Sequence, residues 1–235
     1  MKRISTILCA ALVLIITSCN NQPKPVEEKP AASPVKTEAP KPVFSPYKAL
    51  IITHTVKDFD KWEAAFNAHD SVRKAYGMPE SGVGRGLDND KLVVIFNRAT
   101  DIQKARDFAA SANLKDVMKK AGVTGAPTLA YVDMIRDDTT TIPQHERIYV
   151  VHHVKDFDTW LKAYDAEGKD VRAANGMLDR GMTRNIDDPN TVGILFAITD
   201  MAKLKARLAS PELKKVMTDA GVDGPPQITF FKWVN

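Results

Sequence analysis

The chain contains the sequence VKDFDKW at Val56–Trp62 and a near copy of it, VKDFDTW, at Val154–Trp160. A second motif, AGVTGAP at Ala121–Pro127, likewise returns as AGVDGPP at Ala220–Pro226. The distance between the two motifs is one residue longer in the second copy. The first motif returns after 154 − 56 = 98 residues. Solenoid units repeat every ~20–50 residues, so this longer repeat indicates a duplicated domain.

Each copy predicts the same order of strands and helices. Short apolar runs and glycine- or aspartate-rich turns predict four strands per copy. In the first copy the predicted strands are Ala49–Thr55, Gly82–Leu87, Lys91–Arg98 and Thr128–Ile135. In the second copy they are Ile148–Val154, Gly181–Ile186, Asn190–Ile198 and Gln227–Val234. Helical patterns follow the first and third strands, so the order is βαββαβ, the ferredoxin-like unit.

The first helix of each copy begins at an aspartate, Asp58 or Asp156, a residue type that favours the N-cap. The extra residue of the second copy falls inside this helix, before Val171. One inserted residue turns all later side chains by ~100°. We therefore expect a π-bulge or a break near Gly168, and we expect Val72 and Val171 both to point inward.

A ferredoxin-like sheet carries helices on one face and leaves the other face bare. Two copies in one chain satisfy the layer rule if those bare faces close on each other. The predicted fold class is therefore α+β, with two tandem βαββαβ repeats forming one pseudo-dimeric α+β barrel within the chain.

The repeat motifs, with His54 and His152 two residues before the shared Val-Lys-Asp-Phe-Asp, resemble those of the dimeric α+β barrel superfamily, and in particular its antibiotic-biosynthesis-monooxygenase-like small domains. The resemblance covers about 48–234. It implies that this chain carries in tandem both subunits of the usual homodimer, and so predicts a monomer with an internal pseudo-dimer. It also implies that a ligand would lie between sheet and helices.

The N-terminus predicts an exported and lipid-anchored protein. Residues 1–18 combine a short basic start with an apolar stretch that is short for a bilayer span, as in a signal peptide. Cys19 follows Ile16-Thr17-Ser18, which resembles the lipobox of bacterial lipoproteins, so we expect acyl chains such as palmitate on Cys19. An ordinary secretory signal with a chance cysteine is the alternative. The predicted place is extracytoplasmic, at the outer membrane in preference to the inner one.

The domain boundaries follow from composition. Residues 19–47 form the lipid anchor and a Pro-rich tether, 48–135 the first barrel repeat, 136–146 a linker, and 147–235 the second repeat. The formal net charge is only +4, so no nucleic-acid partner is expected. The chain has two cysteines, one of them in the predicted signal peptide, so a disulfide in the mature protein is not expected.

His54 and His152 are the leading candidates for a site. They occupy equivalent places near the ends of the first strands, and alternation along the strand places each on the face of the preceding apolar residues. Each could meet a ligand in an enclosed volume. The alternative is a hydrogen-bonded histidine that holds the end of the strand in place.

Four further residues complete the candidate ligand-binding set. Trp62 and Trp160, one turn into the first helices, could line a flat aromatic ligand, or could be core residues. Arg85 and Arg184, on the second strands, could meet an anionic group, or could pair with the repeated aspartates.

Sequence motifs of catalysis are missing. We find no nucleophile elbow, glycine-rich phosphate loop or triad spacing. His153 adjoins His152, but neighbouring strand residues point to opposite faces, so no metal site and no cofactor are expected. We therefore lean against an enzyme and favour a membrane-anchored lipoprotein that binds a small apolar or aromatic molecule. The alternatives are a cofactor-free monooxygenase-like or isomerase-like enzyme, with His54 or His152 as acid/base, and a structural or stress-associated domain without a ligand.

Overall fold

The computed structural model describes residues 44–234, which form two halves of like construction. The first half comprises β1 (Tyr47–Val56), α1 (Phe59–Ala68), α2 (Asp70–Ala75), β2 (Glu80–Gly86), β3 (Leu92–Ala99), α3 (Ile102–Ala110), α4 (Ala112–Lys120) and β4 (Val123–Asp137). The second half comprises β5 (Glu146–Val154), α5 (Phe157–Glu167), α6 (Lys169–Ala174), β6 (Met177–Asn185), β7 (Thr191–Ile198), α7 (Met201–Leu208), α8 (Pro211–Asp219) and β8 (Val222–Trp233).

All strand pairs are antiparallel, and the eight strands close into a barrel in the order β1-β3-β2-β8-β5-β7-β6-β4. Each half supplies four consecutive strands of this ring, with its own last strand beside its own first strand. Two seams join the halves: β2 pairs with β8, and β4 pairs with β6. The ferredoxin-like α+β fold predicted from the sequence is confirmed.

The apolar side chains form three clusters. In β1, Leu50 and Ile52 face the helices of the first half, whereas Ala49 and Ile51 face the barrel interior. In the second half, Ile148 of β5 faces the helices in the same way as Leu50 in the first half. The first strands are therefore covered on both faces, as their continuous apolar sequences predict. Two cores lie between sheet and helices, one in each half, and the third fills the barrel.

The helix caps follow the sequence. Asp58 and Asp156 accept hydrogen bonds from the backbone N–H three residues later, at 2.9 and 2.8 Å. The predicted break near Gly168 is also confirmed, because α5 ends at Glu167 and Gly168 takes a positive φ of 80°. The first half contains a comparable interruption at His69, which the sequence did not predict.

The prediction that Val171 points inward is wrong, since this side chain is 43% exposed. Because Gly168 restarts the helix instead of continuing it, the inward position falls to the next residue, Arg172, which is 5% exposed. Its counterpart Arg73 is 4% exposed. Val72, in contrast, packs against the first core as predicted.

The signal peptide, Cys19 and nearly all of the tether lie outside the described residues, and so remain predictions. The first strand begins at Tyr47, and 138–145 connect the two halves. Within 44–234, no helix has the length and apolarity needed to cross a membrane.

Candidate functional site

His152 and Trp160 lie together between the sheet and the helices of the second half. The exposed fractions of the two residues are 6% and 3%. Their ring centroids are 5.4 Å apart with an interplanar angle of 71°, an edge-to-face contact. Trp160 in turn stacks on Tyr164 at 5.4 Å. Since the residues are four apart on α5, helix periodicity places both rings on the buried face.

The first half repeats this arrangement. His54 is 6% exposed and meets Trp62 edge-to-face at 5.5 Å, and Trp62 stacks on Phe66 at 5.1 Å. Of the candidate ligand-binding residues, the structure thus brings His54 together with Trp62, and His152 together with Trp160.

Each histidine lies opposite a bulge in the neighbouring strand. Thr53 of β1 faces Thr128 of β4, but Thr55 faces Thr124, so the intervening segment of β4 stands opposite His54 alone. This segment contains Gly125, whose φ of 72° belongs to the left-handed region. The repeated Gly-x-Pro motif therefore builds a bulge, where proline is tolerated because its position needs no N–H donor.

The same bulge occurs in the second half, where the register shifts between Val151 and His153 of β5. The predicted last strands began just after these bulges, at Thr128 and Gln227. In the structure β4 and β8 begin earlier, at Val123 and Val222, because pairing resumes on the other side of the bulge.

Neither ring nitrogen of His54 or His152 has a hydrogen-bond partner among residues 44–234. Burial disfavours the charged imidazolium, and lowers the pKa of both His54 and His152 from 6.5 to about 4. At neutral pH both rings are therefore uncharged, with one lone pair each available to accept a hydrogen bond. Hydrogen bonds that would hold the strand end in place, the alternative role for these residues, are absent from the described protein groups.

His152 lines a cavity of about 130 Å³ whose walls are mainly apolar. Its floor is the sheet, one wall is α5, and the other wall and roof are α7, α8 and the start of β8. The lining side chains include Val150, Trp160, Ala163, Tyr164, Met177, Ile194, Phe196, Leu208, Leu213, Val216, Met217, Pro226 and Ile228. An apolar cavity of ~150 Å³ accommodates benzene, so this volume suits a ligand with a single ring.

The corresponding cavity of the first half, beside His54, measures only about 50 Å³. Phe108, 2% exposed, fills much of the space and contacts the rings of His69 and Tyr76 at 5.8 and 5.5 Å. His69 is fixed by a 2.6 Å hydrogen bond to Asn113.

A cluster of charges replaces these rings in the second half. Arg207 occupies the place of Phe108, and Glu167 that of His69. Glu167 lies between two arginines, with Oε1 2.8 Å from Arg207 and Oε2 3.4 Å from Arg172. Arg172 also contacts Asp179 at 2.7 Å. Glu167, Arg172 and Arg207 all line the cavity beside His152, at the side where Phe108 packs in the first half.

Arg85 and Arg184 lie away from the histidines. The Nε–H of Arg85 donates to the carbonyl of Asp90 at 2.8 Å, and that of Arg184 to the carbonyl of Pro189 at 2.7 Å. Their guanidinium groups cover the rings of Phe59 and Phe157 at 4.6 and 4.0 Å. Both arginines thus hold a hairpin turn against the start of a helix, and neither lines the cavity beside a histidine.

His153 is 44% exposed at its side chain, whereas His152 is buried, which confirms that the two neighbours point to opposite faces. Across 44–234 there is no group of three or more His, Cys, Asp or Glu side chains placed to hold a metal ion.

Sequence reasoning missed Glu167 and Arg207. A signal for them was present in the repeat itself: two positions that are uncharged or aromatic in the first copy become a carboxylate and a guanidinium in the second. Opposite charges that arise together at two positions indicate a contact between them.

Comparison with solved structures identifies the fold. An anthrone oxidase-like protein superposes with a TM-score of 0.57 at 14% identity, covering 80% of this chain and 92% of that one. A candidate monooxygenase from Fusobacterium nucleatum superposes with a TM-score of 0.50 at 14% identity, covering 81% of this chain and 93% of that one. A ferredoxin-fold protein from Listeria monocytogenes, described as related to antibiotic biosynthesis monooxygenases, superposes with a TM-score of 0.47 at 10% identity, covering 82% of this chain and 97% of that one.

The chain shares its fold with the anthrone oxidase-like protein and with the candidate monooxygenase from Fusobacterium nucleatum. The predicted resemblance is confirmed at this level. Scans against protein-family models and curated protein sequences found no match. The lean against an enzyme is corrected, because solved structures with this fold include proteins named for oxidase and monooxygenase activity. The absence of local catalytic motifs is no argument against an enzyme, because a buried cavity with few polar groups leaves little local signal in a sequence.

Proposed function

We propose that this protein is a monooxygenase-like enzyme that oxidises a small, single-ring hydroxyarene in the cavity of the second half. The observation that carries the proposal is His152: a neutral, buried imidazole without a protein hydrogen-bond partner, lining an apolar cavity about the size of one aromatic ring. The names of proteins with the same fold support oxygen chemistry.

The cavity walls orient the substrate. Trp160 and Tyr164 offer aromatic faces and edges to a flat ring, and most of the remaining lining is apolar, apart from the ion-paired Glu167, Arg172 and Arg207 at one side. The substrate hydroxyl donates a hydrogen bond to the free lone pair of His152. This hydrogen bond gives His152 a partner for a ring nitrogen that has none among the described protein groups. The hydroxyl group is therefore the part of the substrate that His152 recognises.

His152 then takes the hydroxyl proton as general base. In the empty cavity its pKa of about 4 disfavours this step. The phenolate that forms beside the imidazolium raises the pKa of His152, since an opposite charge in contact stabilises the protonated ring. Dioxygen is the oxidant. Overall, a phenol and O₂ yield a quinone and water: one oxygen atom forms the new carbonyl, and the other leaves as water with the two hydrogens lost by the substrate.

The matched pair of halves supplies the test. Purified full chain is incubated with phenol and substituted phenols in air, and oxygen consumption and quinone absorbance are followed. His152→Ala is expected to abolish turnover, and His54→Ala to leave it near the parent rate, because the cavity beside His54 is too small for a ring. Turnover that is unchanged in His152→Ala, or no turnover with any phenol, would contradict the proposal.

The two halves are proposed to act as the two subunits of a dimeric barrel joined in one chain. The seams β2–β8 and β4–β6 support this, because each joins an edge strand of one half to an edge strand of the other. We expect a single-chain species in native mass spectrometry of the full chain. A stable two-chain species would show that the barrel is not self-sufficient.

The membrane anchor is likewise a proposal. It rests on Cys19 and the preceding Ile-Thr-Ser. The chain is expected to incorporate labelled palmitate and to sediment with bacterial membranes, the outer membrane in particular, and the Cys19→Ala variant to lose the label. A palmitate label that persists in Cys19→Ala would overturn the assignment of that residue.

A further inference from the structure

A second cavity, unrelated to the histidines, lies at the end of the barrel where β5 begins and β8 ends. It is an open groove of about 950 Å³. The connection between the halves runs along it, tied at one end by the Asp138 N–H to the Arg180 carbonyl and at the other by the Trp233 N–H to the His145 carbonyl. The groove is therefore framed by backbone hydrogen bonds on both sides.

Arg147 lies in this groove with little exposure and no acidic partner. The residue is only 7% exposed. One terminal nitrogen, Nη1, donates to the carbonyls of Gln144 and Glu146 at 2.8 and 3.0 Å. Within 44–234 no carboxylate forms an ion pair with it, and the charged group that acts on it is another cation, Arg180. Burial, and then the nearby Arg180 guanidinium, lower the pKa of Arg147.

Arg180 is held beside it. Its side chain is 11% exposed, its Nη1 lies 3.2 Å from Asp138, and its Nη2 donates to the carbonyl of Thr140. Lys232 lines the same groove and likewise has no ion pair with a described carboxylate. A fourth cation of the groove, Arg85, is paired with Asp90. Among Arg147, Arg180 and Lys232, only Arg180 has a carboxylate partner, Asp138.

Buried like charges repel each other, and an arrangement of this kind is expensive unless an anion completes it. Guanidinium groups bind phosphate and carboxylate oxygens through paired N–H donors, with a geometry that ammonium groups do not match. The groove also has an apolar side, formed by Trp233, Ile142 and Leu87.

We propose that this groove binds a small organic oxyanion, with its phosphate or carboxylate group on Arg147 and Arg180 and its apolar part against Trp233. The site is separate from the cavity beside His152, and its ligand is distinct from the hydroxyarene substrate. A soluble metabolite or a lipid headgroup would offer the same chemistry.

The test uses phenyl phosphate and inorganic phosphate as probes for the full chain, with affinity measured by calorimetry at low salt. Phenyl phosphate is expected to bind, and inorganic phosphate to bind more weakly because it lacks the apolar part. Arg147→Gln and Arg180→Gln should each weaken phenyl phosphate at least about tenfold, since each removes a charge-assisted hydrogen bond. Arg98→Gln is the matched control. It removes the same charge from β3, outside the groove, and should leave the affinity unchanged.

Arg147→Lys guards against a folding artefact, because it keeps the charge in the interior while losing the planar fork, and should still weaken binding. Circular dichroism checks that each variant is folded. Absence of phenyl phosphate binding to the parent chain, or equal affinity in folded Arg147→Gln and Arg98→Gln, would overturn the proposal. Vesicles of phosphatidylglycerol then distinguish the sources: displacement of bound phenyl phosphate assigns the groove to a lipid headgroup, and lack of displacement to a soluble anion.

Discussion

The two halves place a histidine and a tryptophan in almost the same geometry, yet only the second half leaves room for a ring. The edge-to-face distances agree within 0.1 Å, at 5.5 and 5.4 Å. The cavities differ from about 50 to about 130 Å³. The difference comes from the surrounding helices, where Phe108 and His69 in one half correspond to Arg207 and Glu167 in the other.

This contrast shows that a repeated motif can be retained while the cavity beside it differs in volume. The histidine, its tryptophan and the bulge opposite are part of how each half folds, so both copies keep them. The residues that set the cavity volume lie elsewhere and are free to differ. In the function proposed above, the first half serves as scaffold and the second half holds the site.

The largest expected effect comes from opening the first half. Phe108→Ala should lower the free energy of unfolding by about 3–5 kcal/mol, because it removes a fully buried ring and leaves a cavity. It should also create a second site for benzene. Urea denaturation measures the loss, and calorimetry should count two bound benzene molecules in the variant against one in the parent. A variant that binds no additional benzene would mean that Phe108 is not what closes the first cavity.

Removal of Glu167 should come next. Glu167→Gln leaves Arg172 and Arg207, both 6% exposed at their side chains, without the carboxylate they share. Because Arg172 keeps Asp179 and Arg207 keeps Glu212, we expect a loss of about 2 kcal/mol in unfolding free energy, the value of a hydrogen bond to a charged group. His69→Gln, at the matching position, changes one hydrogen bond and should cost about 1 kcal/mol. Similar losses in the two variants would show that the charged cluster is not a special feature of the second half.

The pH dependence should be the same in both halves. Because burial lowers the pKa of each histidine from 6.5 to about 4, the unfolded chain binds more protons between these values. Each histidine therefore favours folding above pH 6.5, and this contribution is lost as pH falls toward 4. Between pH 7 and pH 5 the loss is about 2 kcal/mol per histidine.

Single variants separate the two contributions. His54→Gln and His152→Gln should each reduce the difference in unfolding free energy between pH 7 and pH 5, by similar amounts. A ligand such as phenol should alter the profile of the second half alone, since it reaches only His152. Unequal effects of the two variants without a ligand would indicate that the histidines are not equivalent in the empty protein.

The smallest effect belongs to the hairpin arginines. Arg184→Gln removes one hydrogen bond to a turn carbonyl and a contact with the ring of Phe157, for a loss of about 1 kcal/mol. Arg85→Gln should do the same in the first half. Neither change should alter phenol affinity or turnover. If Arg184→Gln lowered phenol affinity more than Arg85→Gln, Arg184 would have to be counted among the ligand-binding residues, as the sequence first predicted.

The sequence by itself determined the duplication, the order βαββαβ and the face of the strand on which each histidine lies. Strand alternation placed His54 and His152 on the face of the buried apolar residues. The N-caps Asp58 and Asp156 set the first residues of α1 and α5, the helices that carry the two tryptophans. These features depend on residues close together in the chain, and local periodicity and capping carry that information directly. The inserted residue also identified Gly168 as the point where the helix breaks.

Only the tertiary structure decided which half has an open cavity, and which charges remain unpaired. Glu167 and Arg207 are 40 residues apart, and Arg147 and Arg180 come from two different strands, β5 and β6. Volume, ion pairing and desolvation depend on what packs around each side chain from distant parts of the chain. The exchange of Val171 for Arg172 on the inner face, in contrast, has a local cause, the restart of the helix at Gly168.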